Sequence, residues 1–178
     1  MIIEFMKLLS LAHMCDVETL KGDELFYNGP SPDEVALVEF AASMNFKCTY
    51  NGDDRLKMKA CFNSKTGEET EYNFEILRKM EFTSDRKRMG ILLRDPNDGK
   101  IKLLMKGADS IMLSRVDKKQ YPKIIQDQID WFISKASKQG LRTLLMGMKV
   151  VDDEEMRNFI HDCKEAEKEI RDRDALLE

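Results

Sequence analysis

The chain has 178 residues, of which 42% are hydrophobic and 35% are charged, with a formal net charge of −4. This length and apolar content suffice for one packed domain. Because acidic and basic residues nearly balance, the composition excludes the strongly positive surface that binds nucleic acid. No apolar run approaches the roughly 20 residues that span a bilayer.

The N-terminal segment does not resemble a signal peptide, because Glu4 and Lys7 interrupt its apolar residues and no small-residue cleavage site follows. The four cysteines form no CxxC motif, a spacing typical of a reducing compartment, and we expect no disulfide. Two His-x-Cys pairs, at residues 13–15 and 161–163, are a weak zinc signal because positions i and i+2 do not share a helix face. We expect no metal site.

Residues 2–15 carry apolar side chains at helical spacing, and the polar residues 21–30 then predict a loop. A second helix is expected to begin at Ser31, a preferred N-cap residue that Pro32 follows in the first turn. Glu34 is placed to reach back to the cap, as in a capping box. This helix should end near Met44.

Residues 46–105 change to the alternation of strands, clearest at Tyr72, Phe74 and Ile76. Turn signals separate the runs, which predicts an antiparallel meander. The turn signals are Asn51-Gly52, Thr66-Gly67 and Asp98-Gly99.

Helical spacing returns at residues 108–115 and 121–138, and Gly140 is the expected C-cap of the second of these helices. One apolar stripe runs along that helix, made of Ile124, Ile125, Ile129, Phe132 and Ile133. A strand is predicted at 141–151 and a charged helix at 152–178. The predicted fold is therefore α+β, a mostly antiparallel twisted sheet flanked by helices, in one domain over residues 1–178.

Familiar phosphate-binding and catalytic motifs do not occur: there is no G-x-x-x-x-G-K-[ST] loop, G-x-G-x-x-G, nucleophile elbow or HExxH. Residues 65–67 (KTG) match part of the phosphorylation motif Asp-Lys-Thr-Gly, but Ser64 occupies the aspartate position. We interpret this segment as a turn.

Five short segments, far apart in the sequence, occur in a fixed order. They are Leu9 with Ala12-His13, then 31–38 (SPDEVALV), 81–89 (EFTSDRKRM), 106–109 (KGAD) and 140–144 (GLRTL). Together they resemble the nucleotide-binding domain of P-type ATPases. The second and third segments resemble the lipid-flippase branch, whereas KGA and GLR are shared more widely among P-type pumps.

The resemblance implies an ATP site. Its residues would be Glu34, Phe82, Ser84, Lys87, Lys106, Gly107, Arg142 and Thr143. In the family, the aromatic ring at Phe82 stacks on adenine and the lysine at Lys106 lies near the adenine and the phosphate chain. The arginine at Arg142 reaches the phosphates, and the hydroxyl of Thr143 can add a contact.

The remaining implied ligands each carry an alternative. Glu34 either accepts from the adenine amine or serves only as a helix cap. Gly107 would remove a side chain that obstructs close approach. Ser84 and Lys87 match further ligand contacts, or they belong to a basic strand on which Arg86 and Arg88 point to the opposite face.

The function implied by the resemblance is ATP binding without catalysis by the chain itself, as a single domain excised from a larger membrane ATPase. The domain would position ATP for phosphoryl transfer to an aspartate in a separate domain, where Mg²⁺ is also mainly bound. No residue here is expected to be catalytic or to bind metal. One stacking contact with two or three charged hydrogen bonds predicts a dissociation constant of about 0.1 mM to a few mM.

The implied setting is the cytosolic domain of an integral membrane, phospholipid-transporting ATPase. Its expected partners are ATP, the phosphorylation and actuator domains of the same parent chain and a membrane-spanning accessory subunit, and the domain alone is expected to be monomeric. Two alternatives are the same domain of a cation-transporting P-type ATPase and a non-catalytic interaction module. In the module, the basic run 86–88 and the acidic run 152–155 would be docking surfaces.

Overall fold

A computed structural model describes residues 2–22, 24–61, 68–117, 119 and 122–168. The helices are α1 (Ile2–Leu11), α2 (Pro32–Ser43), α3 (Asp109–Leu113), α4 (Lys123–Lys138) and α5 (Asp153–Lys168). The strands are β1 (Asp16–Thr19), β2 (Leu25–Asn28), β3 (Phe46–Asn51), β4 (Arg55–Ala60), β5 (Thr70–Met80), β6 (Arg88–Arg94), β7 (Ile101–Gly107) and β8 (Leu145–Val151).

Strands β3 to β8 form one six-stranded sheet in the order β3-β4-β5-β6-β7-β8, and every neighbouring pair is antiparallel. The predicted meander and the α+β class are therefore confirmed. The turn predicted at Asn51-Gly52 joins β3 to β4, and the turn predicted at Asp98-Gly99 joins β6 to β7. The predicted turn at Thr66-Gly67, including the KTG segment, lies outside the described residues.

The two faces of the sheet are covered by different elements. Helices α1 and α2 cover the face that carries most of the core, in which Phe74, Leu56 and Ile91 are at most 1% exposed. On the other face, Leu92, Ile101 and Val151 pack against Phe159 and Ile160 of α5. Each fully buried side chain of this size contributes about 1.5–3 kcal/mol through removal from water.

A two-stranded hairpin, β1 with β2, spans residues 16–28 and places β2 inside the segment 21–30, for which a loop was predicted. The loop prediction is wrong. The hairpin pairs Asp16 with Asn28 at its base, and the hydroxyl of Tyr27 donates a hydrogen bond to the Cys48 carbonyl at 2.9 Å. Because both strands are four residues long and largely exposed, they show no clear alternation of apolar and polar residues.

The predicted start and end of α2 agree with the structure, whereas α1 ends at Leu11, four residues before the end predicted at residue 15. The Ser31 Oγ accepts a hydrogen bond from the Glu34 N–H at 3.2 Å, and Met44 is the C-cap of α2. The C-cap of α4 is Gln139 rather than the predicted Gly140, which follows it at φ +70°, a left-handed conformation that glycine adopts without a steric penalty.

The apolar stripe of α4 is less buried than its spacing indicates. Ile124 and Phe132 are 63% and 61% exposed, and among the described residues of α4 only Ala136 is buried. Helical spacing identifies an apolar face, but it does not specify how much of that face another element covers.

A buried ion cluster ties α1 to the turn between β6 and β7. Asp95 is 1% exposed, and its Oδ2 lies 2.6 Å from Lys102 Nζ and 3.7 Å from Lys7 Nζ. Burial alone would raise the pKa of Asp95, but the hydrogen bonds from Lys102 and Asn97 outweigh it and lower that pKa.

All four cysteines are free thiols. In the described part of the chain, no helix combines the length and the hydropathy that crossing a membrane requires.

Candidate functional site

A cavity of about 820 Å³ opens between the start of α2, the β1–β2 hairpin and the end of β7. Five of the eight predicted ligand residues line it. These are Glu34, Phe82, Lys106, Gly107 and Arg142. The other three are not among its lining residues. They are Ser84, Lys87 and Thr143, each only one or two positions along the chain from a residue that lines the cavity.

Lys106 and Glu34 form a buried ion pair in the cavity wall. Strand β7 carries Lys106 between Met89 of β6 and Met146 of β8, and the lysine is only 5% exposed. Its Nζ lies 3.0 Å from Glu34 Oε1, but no atom of the described residues accepts a hydrogen bond from it in suitable geometry. The Coulombic contact therefore leaves the buried ammonium with unsatisfied N–H donors, a cost that a ligand acceptor would remove.

Glu34 serves the helix start and the cavity through different atoms. Its backbone N–H donates to Ser31 Oγ, while its carboxylate contacts Lys106. The Ser31 half of the predicted capping box is therefore present, whereas the Glu34 carboxylate contacts Lys106 rather than reaching back to the cap.

Phe82 lies two residues after the end of β5, and 59% of it is exposed although it lines the cavity. An exposed ring at a cavity wall has one face available for stacking on a planar ligand.

Residues 81–87 form a turn, whereas one sequence interpretation placed Ser84 and Lys87 on a basic strand. The Lys87 N–H donates to the Thr83 carbonyl at 2.8 Å, and Lys87 has a left-handed φ of +49°. Ser84 is exposed in this turn, and Arg88 begins β6 as a buried residue. The prediction that Arg86 and Arg88 share one face of a strand with the opposite face open to a ligand is wrong.

Gly107 lies where two backbones approach closely. A Cβ at this position would be 2.7 Å from the Arg88 Cβ and 2.8 Å from the Lys87 carbonyl oxygen. The missing side chain therefore permits the pairing of β7 with the start of β6, which is a packing reason in addition to any close approach of a ligand.

Arg142 lies between α4 and β8 at the mouth of the cavity, with 84% of its side chain exposed. Its Nη1 is 2.5 Å from Asp33 Oδ2 in the first turn of α2. Thr143, the next residue, is half-buried.

Acidic groups outnumber basic groups in the wall. Asp16, Asp33, Glu34 and Glu81 line the cavity together with Lys106 and Arg142. Asp16, Asp33 and Glu81 were not predicted as site residues. Asp33 stood within the SPDE segment, whereas Asp16 begins β1, a strand that the sequence pattern did not predict.

His13 is fully buried, close enough to Lys106 to feel its charge, and is neutral at physiological pH. Burial, followed by the positive charge of Lys106, lowers its pKa to about 3. Its Nδ1 accepts from the Cys15 N–H at 3.1 Å, so the other nitrogen carries the proton and donates to the Ser10 carbonyl at 3.0 Å. Among the described residues, no group of three or more His, Cys, Asp or Glu side chains could hold a metal ion.

Comparison with known protein families identifies the family of this chain. The family model described as P-type ATPase, cytoplasmic domain N, matches residues 2–175. The chain belongs to this family. The resemblance inferred from the five sequence segments is thereby confirmed, and the cavity lies within a domain N.

The relatives of this domain N include several phospholipid-transporting ATPases. Phospholipid-transporting ATPase 10 of Arabidopsis thaliana is 32% identical over 179 residues. Phospholipid-transporting ATPase IC of Xenopus tropicalis is 34% identical over 178 residues, and Phospholipid-transporting ATPase tat-1 of Caenorhabditis elegans is 32% identical over 176. These alignments cover 98%, 99% and 99% of the chain but only 14%, 13% and 15% of the relatives.

Proposed function

We propose that the chain binds ATP in this cavity, as the nucleotide-binding domain of a phospholipid-transporting P-type ATPase. The observation that carries the proposal is the buried Lys106 ammonium, which has no hydrogen-bond acceptor among the described residues and lines the same cavity as the exposed ring of Phe82. A cationic donor beside an accessible aromatic face is the combination that a nucleotide can satisfy.

In the proposed complex, adenine stacks on Phe82 while Lys106 and Glu34 offer a donor and an acceptor to its polar atoms. Arg142, at the mouth, contacts the phosphates through its planar guanidinium. Ser84, Lys87 and Thr143 lie outside the lining of the cavity and would make contact only as neighbours of its rim.

The domain would contribute binding and positioning, with the phosphoryl group passing to an aspartate of another domain of the parent chain. Mg²⁺ would arrive with the phosphates and be held mainly in that other domain, beside the aspartate that receives the phosphoryl group. The setting that follows is the cytosolic part of an integral membrane lipid transporter, in contact with its actuator and phosphorylation domains and with any accessory subunit.

The interaction-module alternative has less support from the geometry. The Arg86 guanidinium donates to the Glu81 carbonyl at 3.1 Å, and the buried Arg88 donates to the Arg86 carbonyl at 3.0 Å. Two members of the basic run are therefore used in the local turn. In the acidic run, Asp152 caps α5 by accepting from the Glu155 N–H at 2.8 Å.

The proposal is tested by proton–nitrogen NMR titration of the chain with ATP. We expect saturable shifts with a dissociation constant of about 0.1 mM to a few mM, nearly independent of Mg²⁺. Phe82→Ala and Arg142→Gln should each weaken binding. A wild-type spectrum that does not respond to ATP would contradict the proposal.

Matched controls separate site effects from general surface effects. Phe132→Ala removes a ring that is 61% exposed, against 59% for Phe82, but does not line the cavity. Arg55→Gln removes an exposed arginine that pairs with Asp54 at 3.9 Å, also outside the cavity. Neither control should change the affinity for ATP.

A further inference from the structure

Arg142, the proposed contact of the phosphates, already forms an ion pair with a carboxylate. Arg142 Nη1 lies 2.5 Å from Asp33 Oδ2, and both residues line the mouth of the cavity. The side chains are 84% and 47% exposed, so the pair is accessible to a dissolved anion. No other ion pair of either side chain occurs among the described residues.

A carboxylate and a phosphate compete for the same donors of a guanidinium. Each anion presents two oxygens that can accept the parallel N–H bonds of a guanidinium. A phosphate that takes the Nη1 donors of Arg142 displaces Asp33, and the free Asp33 then adds a negative charge beside the incoming phosphates. Adenosine, which has no phosphate, would leave the pair intact.

We infer that Asp33 is an internal competitor for Arg142 and thereby lowers the affinity of this site for polyphosphate nucleotides relative to the nucleoside. The inference rests on the proposed ATP site and adds a residue that sets its preference for phosphate. Asp33 is a positioning residue in this role, because it acts through Arg142.

Asp33 has a second effect that the test must separate. It lies in the first turn of α2, where an acidic side chain stabilises the helix through the dipole of its N-terminus. Loss of that effect lowers the stability of the fold, but it does not distinguish ATP from adenosine.

The test is an NMR titration of the full chain with ATP and with adenosine, in wild type, Asp33→Asn, Arg142→Gln and the double variant. Exposed ion pairs are worth little, so Asp33→Asn should strengthen ATP binding about two- to fivefold and leave adenosine unchanged. The double variant should bind ATP no better than Arg142→Gln alone. Thermal unfolding of each variant records the helix-dipole effect separately.

Asp16→Asn is the matched control, because Asp16 is an exposed acid of the same cavity wall that has no ion pair to any described residue. It should strengthen ATP binding less than Asp33→Asn does. An equal gain in both variants, a gain that persists without Arg142, or an equal gain for adenosine would each overturn the inference.

The same titrations separate failure of the inference from failure of the proposed function. If wild type binds neither ATP nor adenosine, the nucleotide site itself is wrong and the inference falls with it. If wild type binds both and Asp33→Asn has no effect on ATP, only the competitor role is refuted.

Discussion

Replacing Lys106 by Met should strongly destabilise the fold, because it leaves the buried carboxylate of Glu34 without its cation. The two charged atoms are 3.0 Å apart, and the side chains are 6% and 10% exposed. At that distance, two unit charges attract by about 5–6 kcal/mol at an effective dielectric constant of about 20. Desolvation of both ions offsets much of this attraction in the native protein.

The change in the free energy of unfolding is therefore set by the unpaired charge that remains. Removing one partner of a buried pair costs about 3–5 kcal/mol, and we expect about 3 kcal/mol here because the pair lines an open cavity. A domain of this size has a stability of about 5–15 kcal/mol, so the variant should remain folded at neutral pH.

The assay is urea denaturation followed by circular dichroism, without nucleotide, for Lys106→Met, Glu34→Gln and the double variant. The double variant removes both charges and should lie within about 1 kcal/mol of wild type, which gives a large coupling energy in the double-mutant cycle. A loss below about 1 kcal/mol in Lys106→Met, or a double variant that loses the sum of the two single losses, would refute the reasoning.

Three further perturbations follow from the buried charges and the close strand contact. The free energy of unfolding should fall as the pH is lowered from 6.5 to about 3, because His13 becomes protonated in the unfolded chain but stays neutral in the native protein. In urea denaturation at several pH values, His13→Asn should flatten this dependence on pH. Asp95→Asn should cost about 2–3 kcal/mol in the same assay, whereas Asp98→Asn, which removes a 38% exposed partner of the same Lys102, should cost under about 1 kcal/mol. Gly107→Ala should cost about 1–3 kcal/mol, since the added Cβ would meet backbone and Cβ atoms at the start of β6, and a stability equal to wild type would show that β6 shifts freely.

Local signals in the sequence predicted most of the fold. The start of α2 could be predicted because Ser31, Pro32 and Glu34 each favour a helix N-terminus for a separate physical reason. The meander could be predicted because strands such as β4 and β5 alternate and its turns contain glycine, as at Asp98-Gly99. In both cases, the decisive interactions lie within a few residues of the signal.

Elements that depend on distant packing could not be predicted in the same way. The β1–β2 hairpin is held by contacts such as that of Tyr27 with Cys48, which no local pattern specifies. The turn at 81–87 contains a run of charged residues, 85–87, that also suits a solvated strand, and its hydrogen bonds to Thr83 identify it as a turn.

The candidate site was predicted through resemblance rather than through physical patterning. Glu34 and Lys106 are brought together by the packing of α2 over the sheet, and a lysine within an apolar strand gives no local sign of its partner. Asp33 stood in a recognised segment but was not singled out, because its contact with Arg142 arises only when the mouth of the cavity forms.

The nearest-neighbour order of the six-stranded sheet also bears on how the chain folds. Because each strand pairs with the strand next to it in sequence, the sheet can grow by adding one hairpin at a time, and local contacts of this kind favour fast folding. The cavity is different, since it needs the first turn of α2 to meet β7 and the segment before β8. Refolding experiments should therefore detect the sheet earlier than the ability to bind a ligand, which arises only once these distant segments have docked.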